Sequence, residues 1–201
     1  MTLNLADIHY IMGTKGDNNR QRIVEAADRL FYTRGYNQTS FRDISDVTGI
    51  PRGNFYYYFK TKDEILGAVV DARVSGFKEM LSACEKQSSD PRQRILCFTD
   101  MLSESEDNIV KTGCPIGTLS SELAKDEDDF RDIAQAVFAL VHTWLTRQFT
   151  EIGVSQASDK AMDLLARMQG ITVMACAFND REFLRRSLAD IKASIKSKTL
   201  N

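Results

Sequence analysis

Apolar residues return every three or four positions along most of the chain, and strict alternation is scarce. Ile23, Ala26, Ala27, Leu30 and Phe31 fall on one stripe, with Arg20, Arg22, Glu25 and Arg29 off it. That spacing predicts a helix from about Asn18 to Gly35, where glycine accepts a left-handed closing conformation. Thr39 or Ser40 caps the next helix, Asp43 completes a capping box with Ser40, and Gly49 ends it. Pro51 suits the first turn of a third helix, and Thr61 with Glu64 opens a fourth that runs toward Cys84. Further helices are predicted from Asp90 to about Asp107, from Gly113-Cys114-Pro115, from Asp128 to Ile152, from Ser158 to Phe178, and from an Asn179–Glu182 cap to about Lys196. Nine helices and no convincing strand make the chain all-α. Leu5, Ile8 and Ile11 suggest a short stripe of their own; equally, Met12 could be the biological start.

The composition is that of a globular protein, with 43% apolar and 27% charged residues in 201. No run of about 18 apolar residues occurs, so no membrane span is expected, and no secretory signal is read at the N-terminus. Cys84, Cys97, Cys114 and Cys176 are scattered without metal-site or disulfide-framework spacing, which suits a reducing cytoplasm. Charge is unevenly placed. Residues 1–62 carry a net +3 and the remainder −5, the asymmetry expected when only the head meets a polyanion.

Residues 40–59 add chemistry to that asymmetry. Ser45, four residues before Gly49, is small where a second helix crosses close by, and Gly49 supplies the turn. Ile44, Ile50, Phe55 and Phe59 fall where they close the unit against the first helix. Arg52, Asn54, Tyr56, Tyr57 and Tyr58 are left on or near an exposed arc. Duplex DNA suits such a surface: arginine reads guanine, asparagine reads adenine, and tyrosines reach phosphates and thymine methyls. Lys62, at a helix N-terminus, adds a phosphate contact.

The run T-S-F-R-D-I-S-D-V-T-G-I-P-R-G-N-F-Y-Y-Y-F-K-T-K-D-E-I-L resembles the DNA-binding domain of the TetR family of transcriptional regulators, over about residues 18–66. Ser45 stands where alanine is usual, and Phe55 where leucine is common. The resemblance implies a three-helix helix-turn-helix domain at 18–62, behind an extension or arm at 1–17. A helical effector-binding and dimerisation domain then occupies 63–201. It implies a homodimer on a pseudo-palindromic double-stranded operator, usually a repressor released by a small effector. The candidate DNA-binding residues are Thr39, Ser40, Arg42, Arg52, Gly53, Asn54, Tyr56, Tyr57, Tyr58, Lys60 and Lys62. Pairing with a second copy is expected through the last two helices, about 158–196.

The remaining chemistry is sparse. Cys114, between Gly113 and Pro115, falls beside a predicted helix N-terminus, whose positive end favours the reactive thiolate. Its segment resembles a region that senses electrophiles in some members of the family, which implies release from the operator by modification of this cysteine as an alternative to a small effector; the plainer reading is a small buried residue. Phe98, Met101, Cys114, Leu119, Phe138, His142, Leu145 and Met168 are the candidate effector pocket, with a structural role for His142 as the plainer alternative. The acidic run 126–129 reads as a solvated junction rather than a cation site. No catalytic, metal or cofactor motif occurs, so no enzyme, metal or cofactor is expected. The rival reading is an all-α small-molecule carrier or enzyme with a vestigial head.

Overall fold

The structure, a computed structural model, describes residues 15–125 and 131–197. The stripe at Leu5–Ile11, Met12 and the acidic run 126–129 lie outside the described residues. Ten helices follow one another within them: α1 (Lys15–Arg34), α2 (Phe41–Thr48), α3 (Arg52–Tyr58), α4 (Lys62–Gln87), α5 (Pro91–Glu104), α6 (Glu106–Thr112), α7 (Pro115–Leu123), α8 (Arg131–Ile152), α9 (Ala157–Phe178) and α10 (Arg181–Lys196).

Three boundaries differ from the sequence reading, each for a local reason. The helix expected over 90–107 is broken at Ser105, whose φ and ψ of −102° and 15° end α5 and start α6. No glycine or proline marks that break, so ten helices stand where nine were expected. Asn179 takes the left-handed conformation (φ 51°) and closes α9, and Asp180 is the cap of α10, accepting from Phe183 N–H at 2.8 Å. At the start of α4, Glu64 N–H donates to Thr61 Oγ1 at 3.1 Å, but the Glu64 carboxylate accepts from Lys60 N–H at 2.6 Å, one residue further back.

The described chain divides into two units, and α4, α7 and α8 contribute residues to both. Among the described residues, the head comprises 15–75, 118–125 and 131–136. Its core gathers Ile23, Ala27, Leu30 and Phe31 of α1, Ile44 of α2, Phe55 of α3 and Ile65, Leu66 and Val69 of α4. Leu119 and Leu123 of α7 join it. That is why the unit extends past the 62/63 boundary read from sequence. A nearly buried Arg73 on α4 grips Asp28 of α1 at 2.6–2.7 Å.

Among the described residues, the body comprises 76–117 and 137–197. Within it α10 packs on α5, α6 and α9, burying Leu184, Leu188, Ile191 and Ile195. Arg92 donates to the carbonyls of Ile195 and Ser197 at 2.8 and 2.9 Å, satisfying acceptors that the end of α10 leaves open. Glu85 of α4 accepts from Trp144 Nε1 at 2.6 Å and pairs with Arg147, both on α8. Contrary to the cysteine pattern read from sequence, Cys84 and Cys97 are joined as a disulfide. Their separation fits two helices meeting at a corner, which one-dimensional spacing does not display.

Candidate nucleic-acid interface and effector cavity

The turn between α2 and α3 is fastened from several directions. Ser40 and Asp43 form the capping box, with Asp43 accepting from Ser40 N–H at 2.8 Å. These bonds from Ser40, helped by Arg34 at 3.6 Å, hold the Asp43 carboxyl below the usual carboxylate range. Gly49, at φ 66°, returns its N–H to Ser45 O at 2.8 Å. Ser45 is buried as a small crossing residue, and its hydroxyl donates to Ile50 O at 2.7 Å, a bond that alanine would lack. Arg22 of α1 donates to Thr48 O at 2.6 Å, so it closes the C-terminal end of α2.

That frame orients α3. Phe55 and Phe59 are buried in the head, and Arg20 stands 5.0 Å from the Phe59 ring centre. Phe41 meets Phe55 edge-on and stacks on Tyr56 with an 11° interplanar angle. Tyr56 and Tyr57 are 59% and 84% exposed, and Gly53 and Asn54 lie on the same open surface. Arg42 is exposed, paired loosely with Asp46 at 3.6 Å, and Ser40 and Lys60 are exposed as well. Arg52 opens α3; its side chain lies outside the described ones.

Three candidates are placed differently from the outward reading. Thr39 is only 2% exposed, and its hydroxyl donates to Gly35 O at 2.7 Å. Tyr58 is half-buried against the head core, its hydroxyl 3.5 Å from the Asn19 amide. The Lys62 ammonium stands 3.9 Å from the Tyr36 ring centre and donates to Tyr36 O at 3.0 Å. These side chains hold the surface in place. Thr39 and Lys62 meet the backbone of the 35–39 loop and Tyr58 meets Asn19 of α1, contacts between distant or folded segments that the sequence does not display.

In the body, Phe98 and Met101 of α5, Cys114, Phe138 of α8 and Met168 of α9 line one cavity, as the sequence reading grouped them. Phe77, Leu102, Pro115, Ile116, Val141, Leu165 and Gln169 complete the wall and were not picked out: the aliphatic and aromatic ones read as ordinary core spacing, Pro115 as a helix start and Gln169 as a polar helix position. None of the lining residues is charged. The enclosed space is about 30 Å³, within about 450 Å³ of unfilled volume once the open mouth is counted. Gln169 donates to Cys114 Sγ at 3.4 Å. It also presses on Gly117, where an added Cβ would collide with its amide oxygen.

The other three pocket candidates are elsewhere. Leu119 is buried in the head core. His142 Nε2 donates to Ser158 O at 3.0 Å, fastening α8 to the start of α9. Leu145 is fully buried and does not line the cavity. Among the described residues no cluster of His, Cys, Asp and Glu is arranged to hold a metal ion.

A further surface lies on α9. Met162, Val173, Met174 and Phe178 are all exposed, Phe178 at 71%, spread over the arc that the buried Leu164, Leu165, Met168 and Ile171 leave open. Apolar on both sides, α9 is by length and composition the one described helix apolar enough to cross a membrane. Its half-buried packing within the body is equally that of a core helix.

Comparison with known proteins agrees with this geometry. Residues 23–69 match the family described as bacterial regulatory proteins of the tetR family, and residues 92–189 match the LmrA/YxaF-like transcriptional regulator C-terminal domain. An uncharacterized HTH-type transcriptional regulator in the lacX 3′ region of Lactococcus lactis is 28% identical over 184 residues, covering 89% of this chain and 94% of its own. The HTH-type regulator YxaF of Bacillus subtilis is 29% identical over 147 residues, covering 72% and 76%. The crystal structure of a TetR transcriptional regulator from Legionella pneumophila superposes with a TM-score of 0.78 at 24% identity, over 94% of this chain and all of that one. With the helix-turn-helix head and the helical body both matched, the chain belongs to the TetR family of DNA-binding transcriptional regulators.

Proposed function

We propose that the protein is a homodimeric, ligand-responsive repressor of the cytoplasm, which binds a pseudo-palindromic operator and leaves it when a small effector enters the body. The observation that carries the reading is the division of aromatics on α3. Phe55 and Phe59 are locked inside, while Tyr56 and Tyr57 stand exposed beside Asn54. Large exposed rings on a short, well-fastened helix suit the major groove, where they meet sugars, phosphates and thymine methyls. Arg52 and Asn54 are assigned to base edges. Ser40, Arg42 and Lys60 are assigned to the backbone.

One helix of this length reads few base pairs, and two copies about 34–36 Å apart combine their gains. The exposed apolar residues of α9, together with the exposed small residues Ala189 and Ala193 of α10, support self-pairing through these helices. The cavity supports an effector that is neutral and mostly apolar. At about 30 Å³ it has room for a water or two, so a larger molecule must displace its walls. An effector that binds the displaced form better shifts the population away from DNA. Pro115 and Ile116 of α7 belong to that wall, and the same helix carries Leu119, Glu122 and Leu123 in the head. A helix with both duties is the natural link. Cys114 serves here as cavity wall.

A mobility-shift titration on the DNA upstream of the protein's own gene, run at several salt concentrations, tests the operator claim. Tighter binding than to random DNA at every salt concentration is expected; equal affinity throughout contradicts it.

A further inference from the structure

We propose that Cys84 and Cys97 form a reversible thiol–disulfide site, oxidised by low-molecular-weight disulfides such as oxidised glutathione. Their Cα atoms are 5.8 Å apart and the residues are separated by 13 in sequence, a span that a disulfide bridges without moving the backbone. The bond ties the last turn of α4 to the second turn of α5.

The corner between those helices is held without it. Ser88 N–H donates to Cys84 O at 3.3 Å, Asp90 N–H donates to Ser88 Oγ at 3.1 Å, and Arg94 Nε donates to Ser88 O at 2.8 Å. Asp90 and Pro91 start α5 with their own cap, and Ile95, Leu96 and Phe98 anchor it in the body core. A chain of 201 residues also exceeds the size at which small domains depend on such staples. A cross-link that folding does not require, in a protein working beside DNA in a reducing compartment, belongs to the transient, redox-sensing kind. The compartment is the one element borrowed from the regulatory reading.

Exposure fixes the order of events. Cys97 is half-buried and Cys84 is 2% exposed. The Cys97 thiolate therefore attacks the small disulfide first, and one small thiol leaves. The Cys84 thiolate then attacks Cys97 Sγ in the mixed disulfide, and the second small thiol leaves. The two protein thiols give up two protons and two electrons, which appear in the two small thiols.

The test equilibrates the full chain in glutathione buffers of graded reduced-to-oxidised ratio, quenches with acid, and maps maleimide-labelled cysteines by mass spectrometry after unfolding. Labels at Cys84 and Cys97 are expected to vanish together as the buffer becomes oxidising and to return together as it becomes reducing. Cys84→Ser should trap glutathione on Cys97, while Cys97→Ser should slow capture at Cys84 by about tenfold or more. A pair that stays joined in a large excess of reduced glutathione, or stays reduced in oxidised glutathione alone, overturns the proposal. So does capture at Cys84 as fast as at Cys97. No DNA enters the measurement, so its failure leaves the operator claim standing, and failure to bind an operator leaves the thiol result standing.

Discussion

Glu122 holds the backbone of Tyr36: one carboxylate oxygen accepts from the Tyr36 N–H at 2.9 Å, and the other accepts from the Asn37 N–H at 2.8 Å. The neighbouring Gly35, at φ 91°, is where it must be. A Cβ there would sit 2.9 Å from the carboxylate, in a backbone conformation that side chains resist. The Tyr36 hydroxyl donates to Asp63, and its ring lies under Lys62. The last turn of α7 thus fixes the loop that leads into the helix-turn-helix.

Glu122→Ala should lower unfolding stability by about 1–3 kcal/mol, since two charge-assisted bonds are lost. Gly35→Ala should lower it as well, with the two losses less than additive because the alanine already disrupts the same contact. Urea denaturation of the single and double variants measures both. Faster amide exchange at Tyr36 and Asn37 in Glu122→Ala would locate the loss at this loop.

Gly117 and Gln169 form a second coupled pair. Gly117→Ala forces its new methyl against the Gln169 amide and should cost about 1–3 kcal/mol as overpacking. Gln169→Ala in the same chain removes the obstacle and should recover most of that loss. A double-mutant cycle in urea reads the coupling; strictly additive losses would mean that Gln169 simply swings away.

The α2 cap should be acid-sensitive. Asp43 has a lowered pKa in the folded chain, held down first by the Ser40 hydroxyl and then by the Ser40 N–H. A depressed carboxyl contributes stability that is fully present above its unfolded pKa and is lost as pH falls through its folded value. The wild type should therefore lose stability faster than Asp43→Asn as pH falls below the ordinary aspartate range. Parallel pH–stability curves would contradict this.

The exposed apolar residues of α9 should control assembly. Val173 and Phe178 are 60% and 71% exposed, so replacing either by glutamate should leave monomer folding within about 0.5 kcal/mol while shifting sedimentation toward monomer. An unchanged dimer would place the self-association surface elsewhere.

Most of the helix-turn-helix was legible in the sequence because its signals are local. The Ser40–Asp43 box, Gly49 and the Phe55/Phe59 pair each act within a few residues, and all appear as read. The α5/α6 break was not legible, since Ser105 carries no backbone constraint of its own. Leu119 was grouped with the cavity because helical spacing shows that a residue is buried but not which of two cores receives it. Lys62 and Thr39 were read outward because their partners, Tyr36 and Gly35, meet them only after the 35–39 loop folds. The Cys84–Cys97 bond depends on where two helices turn, a property of the corner rather than of either helix.

The central claim is that α3 reads base pairs with its exposed side. Fluorescence anisotropy with the DNA upstream of the gene and with random duplex, on wild type and on Asn54→Ala, Tyr57→Ala and Arg52→Ala, tests it most directly. Losses of about 1–3 kcal/mol on the specific duplex, with little change on random DNA and unchanged urea stability, are predicted. Variants that bind both duplexes as the wild type does would contradict the account.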